Sequence, residues 1–235
     1  MTELITKFEN YNSPEKDILI ENFNTIPMMD KWIACIVESY IYSYVEEWWG
    51  NGQLKCKYRT KYGERDGEYK EWDDNGNLST QTTYVEGKLH GEYKEWWKNE
   101  QLNIQTTYVE GERHGEYKSW HSNGQLWCQV TYAEDKLHGE YKSWWSNGKP
   151  CVKTTYVKGE VHGEYKKWFD DGQIWVQTTY EKGKIHGDYK EWFGNGQLYI
   201  QTTYVEGERH GEYTEWTFNR QLRLQTTYVE GEEIV

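Results

Sequence analysis

The chain has 235 residues and a net charge of −12; only 36% of its residues are hydrophobic, yet 14 Trp and 21 Tyr carry most of a 17% aromatic share. So many rings among so few aliphatic side chains predict a fold whose apolar contacts are made by rings, and the negative charge repels nucleic-acid phosphates and anionic membrane surfaces on average. The longest apolar run, Trp32–Val37, is far too short to span a bilayer, and Met1–Tyr11 has no basic region followed by an apolar one, so neither a transmembrane helix nor a secretory signal is read.

Residues 1–44 read as helical. Ser13-Pro14-Glu15 has an N-cap residue followed by proline at the first helical position. Met29, Trp32, Ile33, Ile36, Val37, Tyr40, Ile41 and Tyr44 then follow the i, i+3, i+4, i+7 spacing of an amphipathic helix. Such a stripe must bury against something. It is expected either to cap the edge of the first hairpin or to dock on a partner.

From residue 45 the pattern changes. Gly67, Gly91, Gly115, Gly139, Gly163, Gly187 and Gly211 recur every 24 residues without an insertion, and an atypical half-repeat, 45–66, precedes them. In that half-repeat Ser43-Tyr44-Val45 stands where Gly-Glu-Tyr recurs later. Periods of this size mark arrays in which each repeat is one supersecondary unit. Within a unit, "GEYKEWW" from Gly91 is followed by "KNE" and then by "QLNIQTTYVEG". In the second segment Leu102, Ile104, Thr106 and Tyr108 alternate with Asn103, Gln105, Thr107 and Val109, which is strand periodicity. Asn-Gly or Asp-Gly sits between the segments in most units, as at Asn123-Gly124 and Asp171-Gly172, where a three-residue hairpin loop wants a left-handed last residue. Glu100 and Arg220 break that rule, so their turns are expected to be strained or differently built. The second turn is the Glu-Gly of "VEGERHG" and its relatives. Tyr93 and Trp96 are three apart: either both faces carry aromatic ladders, or a bulge near His-Gly turns both rings to one side.

The segments "HGEYKEWWKNEQL" from His90, "HGEYKSWWSNGKP" from His138 and "HGDYKEWFGNGQL" from His186 resemble the MORN repeat family, and more closely its variant branch, over roughly residues 45–235. The resemblance implies a mainly β fold: an elongated single-layer antiparallel meander of stacked β-hairpin repeats, here with a short α-helical N-terminal cap. It also implies a scaffold or partner-docking module. One bacterial branch of the family carries an antitoxin label, and such arrays are abundant in large DNA viruses of amoebae. Some fifteen to sixteen strands would give a rod about 70–75 Å long.

His90, His114, His138, His162, His186 and His210 form a ladder, with Asp66 in the first complete unit. Two strands per repeat separate consecutive members by about 9–10 Å, whereas zinc ligands all lie about 2 Å from one ion. The ladder is therefore read as turn punctuation, each ring packed on a tyrosine or bonded to turn backbone, and no metal or cofactor is expected. The cysteines Cys35, Cys56, Cys128 and Cys151 form no CxxC pair; Cys56 and Cys128 share a column three repeats apart. Their spacing excludes a disulfide between those two, which points to a reducing, cytoplasmic compartment, with a virion the alternative implied by the resemblance. The acids Glu92, Glu116, Glu140, Glu164 and Asp188 recur in every unit and read as a solvated face. No P-loop, G-x-S-x-G or H-E-x-x-H motif is present, so catalysis has no support here.

Candidates for partner binding are the residues the repeat does not require. In the column of Asn103 stand Trp127, Trp175 and Tyr199, which form either a partner-binding patch or added packing. The sequence closes on "QLRLQTTYVEGEEIV", read as a complete strand with nothing left to cover its outer edge. Self-association or addition of a partner's strand is expected there, through 221–229 and with Gln221, Leu222, Gln225 and Thr227 as contacts. The sequence points to a non-enzymatic scaffold, with an antitoxin-like inhibitor of one protein as the alternative.

Overall fold

A computed structural model describes residues 38, 39 and 41–234. Most of the helical expectation for 1–44 lies outside these residues, as does Cys35. The last member of the apolar stripe, Tyr44, belongs to the strand Tyr42–Trp48.

Nineteen strands form one antiparallel sheet. From Tyr42–Trp48 on Leu54–Lys61 to Leu222–Val229 on Glu232–Ile234, each strand pairs with the next along the chain except within two interrupted strands. Lys88–Leu89 and Gly91–Trp96 are one strand interrupted at His90, and Glu112–Arg113 and Gly115–Trp120 one interrupted at His114. The sheet therefore has seventeen strand positions rather than fifteen or sixteen. The additional position is the short strand Glu232–Ile234.

The two turns follow from left-handed residues. At the Glu-Gly turn both central residues have positive φ, 52° at Glu110 and 91° at Gly111, the handedness that matches strand twist in a two-residue hairpin. At the longer turn Trp97 donates its N–H to the Gln101 carbonyl, closing a three-residue loop, and the Glu100 N–H donates to the Trp97 carbonyl. The Asn-Gly turns make the same pair of bonds, as with Gly124 to His121. Glu100 and Arg220 keep that geometry at φ 66° and 64°. Of the two expectations for these turns, strain is the one realised.

The faces are set by register. Tyr93 pairs with Thr106 and Glu95 with Ile104, and directly opposed residues share a face. The strand from Gly91 to Trp96 alternates without interruption, so Trp96 faces away from Tyr93 and both faces carry rings. The register slips on the other strand: Trp96 pairs with Leu102, leaving Asn103 as the extra residue of a bulge. The Asn103 amide donates to Glu95 Oε1 at 2.8 Å, so Asn103 joins Ile104 on the tyrosine face instead of opposing it as strict alternation would have it. A second irregularity lies at His-Gly. Gln129 pairs with Lys142 and Thr131 with His138, so two extra residues sit on the second strand. Gly139, at φ 83°, supplies the turn of backbone that this needs.

The core is thin and lies almost wholly on one face. Cys56, Tyr69, Cys128, Val130 and Tyr213 are buried together with Thr82, Thr106, Ser119, Ser143, Thr154, Thr178, Thr202, Thr214 and Glu215. All of these but Thr214, which stands in the Lys94 column of the opposite face, belong to the four columns of Tyr93, Glu95, Ile104 and Thr106, hence to the tyrosine face.

Candidate interaction surface

Along the tyrosine face each unit contributes two rings in edge-to-face contact, such as Tyr93 with Tyr108 at 5.7 Å and Tyr165 with Tyr180 at 5.5 Å. Such pairs add about 0.5–1.5 kcal/mol beyond their burial. Arginines cover the rings in three units. The Arg65 guanidinium lies 4.9, 4.8 and 5.3 Å from the Tyr58, Tyr69 and Tyr84 rings. Arg209 lies 4.7 Å from Tyr213, and Arg113 lies 4.1 Å from Tyr132 while its Nε donates to Asp135. Tyr93 and Tyr189 donate their hydroxyls to Glu95 and Glu191 at 3.1 and 2.9 Å. Burial first, and then the adjacent carboxylate, push both phenols up; Tyr213 beside Glu215 reaches about 12. Burial also raises the Cys56 and Cys128 thiols, which suppresses the reactive thiolate.

The opposite face carries the recurring acids. The Lys94 ammonium and the Gln105 amide hold the Glu92 carboxyl below its ordinary value; Lys118 and Gln129 do the same for Glu116. Glu92, Glu116, Glu140 and Glu164 are each paired with the lysine two residues on, as expected of a solvated face. The histidine ladder behaves differently from its expectation. The rings of His90, His114, His138, His162 and His210 are exposed, and only at His186 does ring Nδ1 accept a backbone N–H, that of Glu206. The ladder's contribution is its backbone: the N–H groups of His90 and His114 donate to the carbonyls of Thr83 and Thr107 at 2.9 Å.

The aromatics of the Asn103 column lie over their own hairpin loops. Trp175 stacks on Phe169 at 5.0 Å and 13°, donates its indole N–H to Glu191 Oε1 and has the Lys167 ammonium 3.9 Å from its ring. Tyr199 lies 4.6 Å from Phe193, which meets Phe218 edge-on at 5.6 Å. Trp127 has a looser neighbour in His121, at 6.2 Å, and stays 52% exposed. The partners His121, Phe169 and Phe193 are not singled out by the sequence reading, although a sequence signal exists. Where the loop position holds Trp (49, 97, 145), the bulge position six residues on is Lys55, Asn103 or Cys151; where it holds His or Phe, the bulge position is aromatic. Loop tryptophans stitch repeats instead: the Trp97 indole donates to the Trp120 carbonyl and Trp145 to Trp168, both at 3.1 Å.

The residues proposed at the last long strand are less alike. Leu222 is 55% exposed, and the Gln221 N–H donates to Thr217 Oγ1. The Gln225 amide donates to Glu212 on the solvated face, and Thr227 pairs with Ile234. The expectation of an uncovered outer edge is therefore corrected in part: the chain turns back at Glu230-Gly231 and covers residues 227–229.

Among the described residues no group of His, Cys, Asp and Glu is arranged to hold a metal ion, and no helix is long and apolar enough to cross a membrane. Cys56, Cys128 and Cys151 are free thiols. The MORN repeat variant model matches six consecutive stretches, 65–86, 89–110, 113–134, 137–158, 161–182 and 185–206, which together make up more than half of the chain. No curated protein matches it. On that run of six repeats the chain belongs to the MORN repeat variant family, whose repeats act as scaffolds for protein or membrane interaction.

Proposed function

We propose that this member of the MORN repeat variant family is a non-enzymatic scaffold that holds a protein partner on the bulge column, with Trp127 as the central contact. The observation that carries the reading is the difference within that column. Trp175 and Tyr199 are packed on loop phenylalanines, while Trp127 leaves half of a large ring in solvent. An exposed tryptophan is an effective anchor because a partner that buries it gains area at little entropic cost. The net charge of −12 favours a protein partner over an anionic membrane surface.

The test uses the full chain as bait in native material, beside Trp127→Ser. The reading expects a partner captured by the parent and lost with Trp127→Ser at unchanged thermal stability. Equal capture by both overturns the assignment of Trp127. One stoichiometric partner whose activity is blocked would make the scaffold an antitoxin-like inhibitor; recovery within a particle would make it a structural component of a virion.

A further inference from the structure

Several side chains of the bulge column meet the residue eight places before them. Lys55 pairs with Glu47, the Asn103 amide donates to Glu95 Oε1, and Arg223 pairs with Glu215. At Trp175 the residue eight before is Lys167, whose ammonium lies 3.9 Å from the ring centroid. The residue sixteen after is Glu191, which accepts the indole N–H at 3.2 Å, and Phe169 is stacked on the ring. Trp175 therefore has a cation, an anion and a second ring, all from its own chain.

Trp127 is the same residue in the same column with none of these. Eight places before it stands Ser119 and sixteen after it Ser143. Ser119 is 1% exposed and its hydroxyl bonds to nothing, so it does not hold the indole. The nearest charged residues of the serine column, Glu95 and Lys167, stand three repeats apart, about 29 Å. Both are engaged in their own hairpins, Glu95 by Tyr93 and Asn103 and Lys167 by Trp175. Among the described residues no cation lies over the Trp127 ring and no acceptor meets its indole N–H. His121, 6.2 Å away and tilted by 52°, does not cover a ring face, and half of the side chain is in solvent. Elsewhere in the array cations cover the rings: Arg65, Arg113 and Arg209 over tyrosines, and Lys55 at 5.4 Å from Trp49. The face of an aromatic ring is its negative part, and tryptophan attracts cations best.

We propose that Trp127 receives a lysine or arginine side chain of the protein partner, laid over its open ring face as the Lys167 ammonium is laid over Trp175. The inference rests on the reading of Trp127 as the partner contact and names the chemistry of what binds there. Charge selects the cation. Glu191 shows that a carboxylate can accept such an indole N–H, but an acidic segment would be repelled by a chain of net charge −12, whereas a basic one is drawn in.

The test titrates acetylated, amidated tetra-arginine and tetraglutamate into the full isotope-labelled chain while NMR follows the indole N–H signals of its 14 Trp. The Trp127 signal is the one missing from Trp127→Ser, and unmoved signals from the other indoles report an intact fold. The expected result is that tetra-arginine moves the Trp127 signal and binds Trp127→Ser about two- to fivefold more weakly, the factor of one exposed cation–ring contact. Ser119→Lys recreates the pairing of Lys167 with Trp175 and is expected to suppress the shift with Trp127 still present; should it fail to fold, Trp127→Ser decides alone. A Trp127 signal that ignores tetra-arginine, or moves as far with tetraglutamate, overturns the proposal, as does equal affinity for parent and Trp127→Ser. Either result beside Trp127-dependent capture of a native partner removes the basic occupant and leaves Trp127 as the partner contact. Equal native capture by parent and Trp127→Ser, beside a signal that answers tetra-arginine, removes the partner contact and leaves a cation site.

Discussion

The tyrosine face contains a defect repeated on purpose-built ground, and it can be weighed by two reciprocal substitutions. Thr106, Thr154 and Thr202 are 2–3% exposed, and their hydroxyls have no hydrogen-bond partner. Val130, 2% exposed, occupies the same column one repeat after Thr106. Valine and threonine are nearly isosteric, so exchanging them changes little but the hydroxyl. Leaving a buried polar group unsatisfied costs about 1–3 kcal/mol, while replacing it by an apolar group of the same shape is neutral or stabilising. Thr106→Val is accordingly expected to stabilise the protein by about 1 kcal/mol, and Val130→Thr to destabilise it by about 1–2 kcal/mol. The assay is urea unfolding followed by tryptophan fluorescence, read as a shift of midpoint at constant slope. A loss of stability in Thr106→Val comparable to that in Val130→Thr would refute the reasoning, because it would mean that the threonine hydroxyls are satisfied by water the sheet admits. Arrays gain stability from repeat-to-repeat interfaces, so the two changes are best compared within one background.

Glu100 stands at φ 66° where neighbouring turns have glycine, and left-handed backbone costs a non-glycine residue about 1–2 kcal/mol; with glycine's larger unfolded-state entropy set against this, Glu100→Gly is expected to gain about 0.5–1 kcal/mol in the same urea assay. The sheet of seventeen positions at about 4.8 Å each predicts a rod about 80 Å long and a radius of gyration near 25 Å by small-angle scattering, against about 17–18 Å for a compact domain of this length. Tyr93, Tyr141, Tyr189 and Tyr213 have phenols raised by burial, so their contribution to stability is complete below the unfolded value near 10 and is lost as pH rises toward the folded values; tyrosinate absorbance should lag free tyrosine above pH 10 and then appear together with loss of structure. At the acid end, Glu92, Glu116 and Glu140 are depressed, first of all by their lysine partners, so stability present above the unfolded carboxylate value should fall as pH drops through the lower folded values, visible as a declining melting temperature below about pH 4.

The hairpin repeat was legible because its signals are local. A left-handed glycine every 24 residues and an alternating "QLNIQTTYV" fix two turns and two strands before any contact is known. What escaped depends on register between strands. Asn103 alternates with Ile104 in sequence, and only the slip opposite Trp96 reveals that both lie on the tyrosine face. That slip explains why the bulge column tolerates Lys55, Asn103, Trp127, Cys151 and Arg223: its side chains lean over the hairpin loop and answer to whatever stands there. Trp175 and Tyr199 therefore have a local reason to be aromatic, since Phe169 and Phe193 lack the indole N–H with which Trp97 and Trp145 tie one repeat to the next. Trp127 has the weakest such reason, because His121 Nε2 already donates to the Trp144 carbonyl, 3.0 Å away, in the manner of the loop tryptophans. In that one repeat the stitch and the aromatic bulge residue occur together. The ring that packing does not require is the one left in solvent, and this is the physical ground for proposing Trp127, rather than its two look-alikes, as the partner contact.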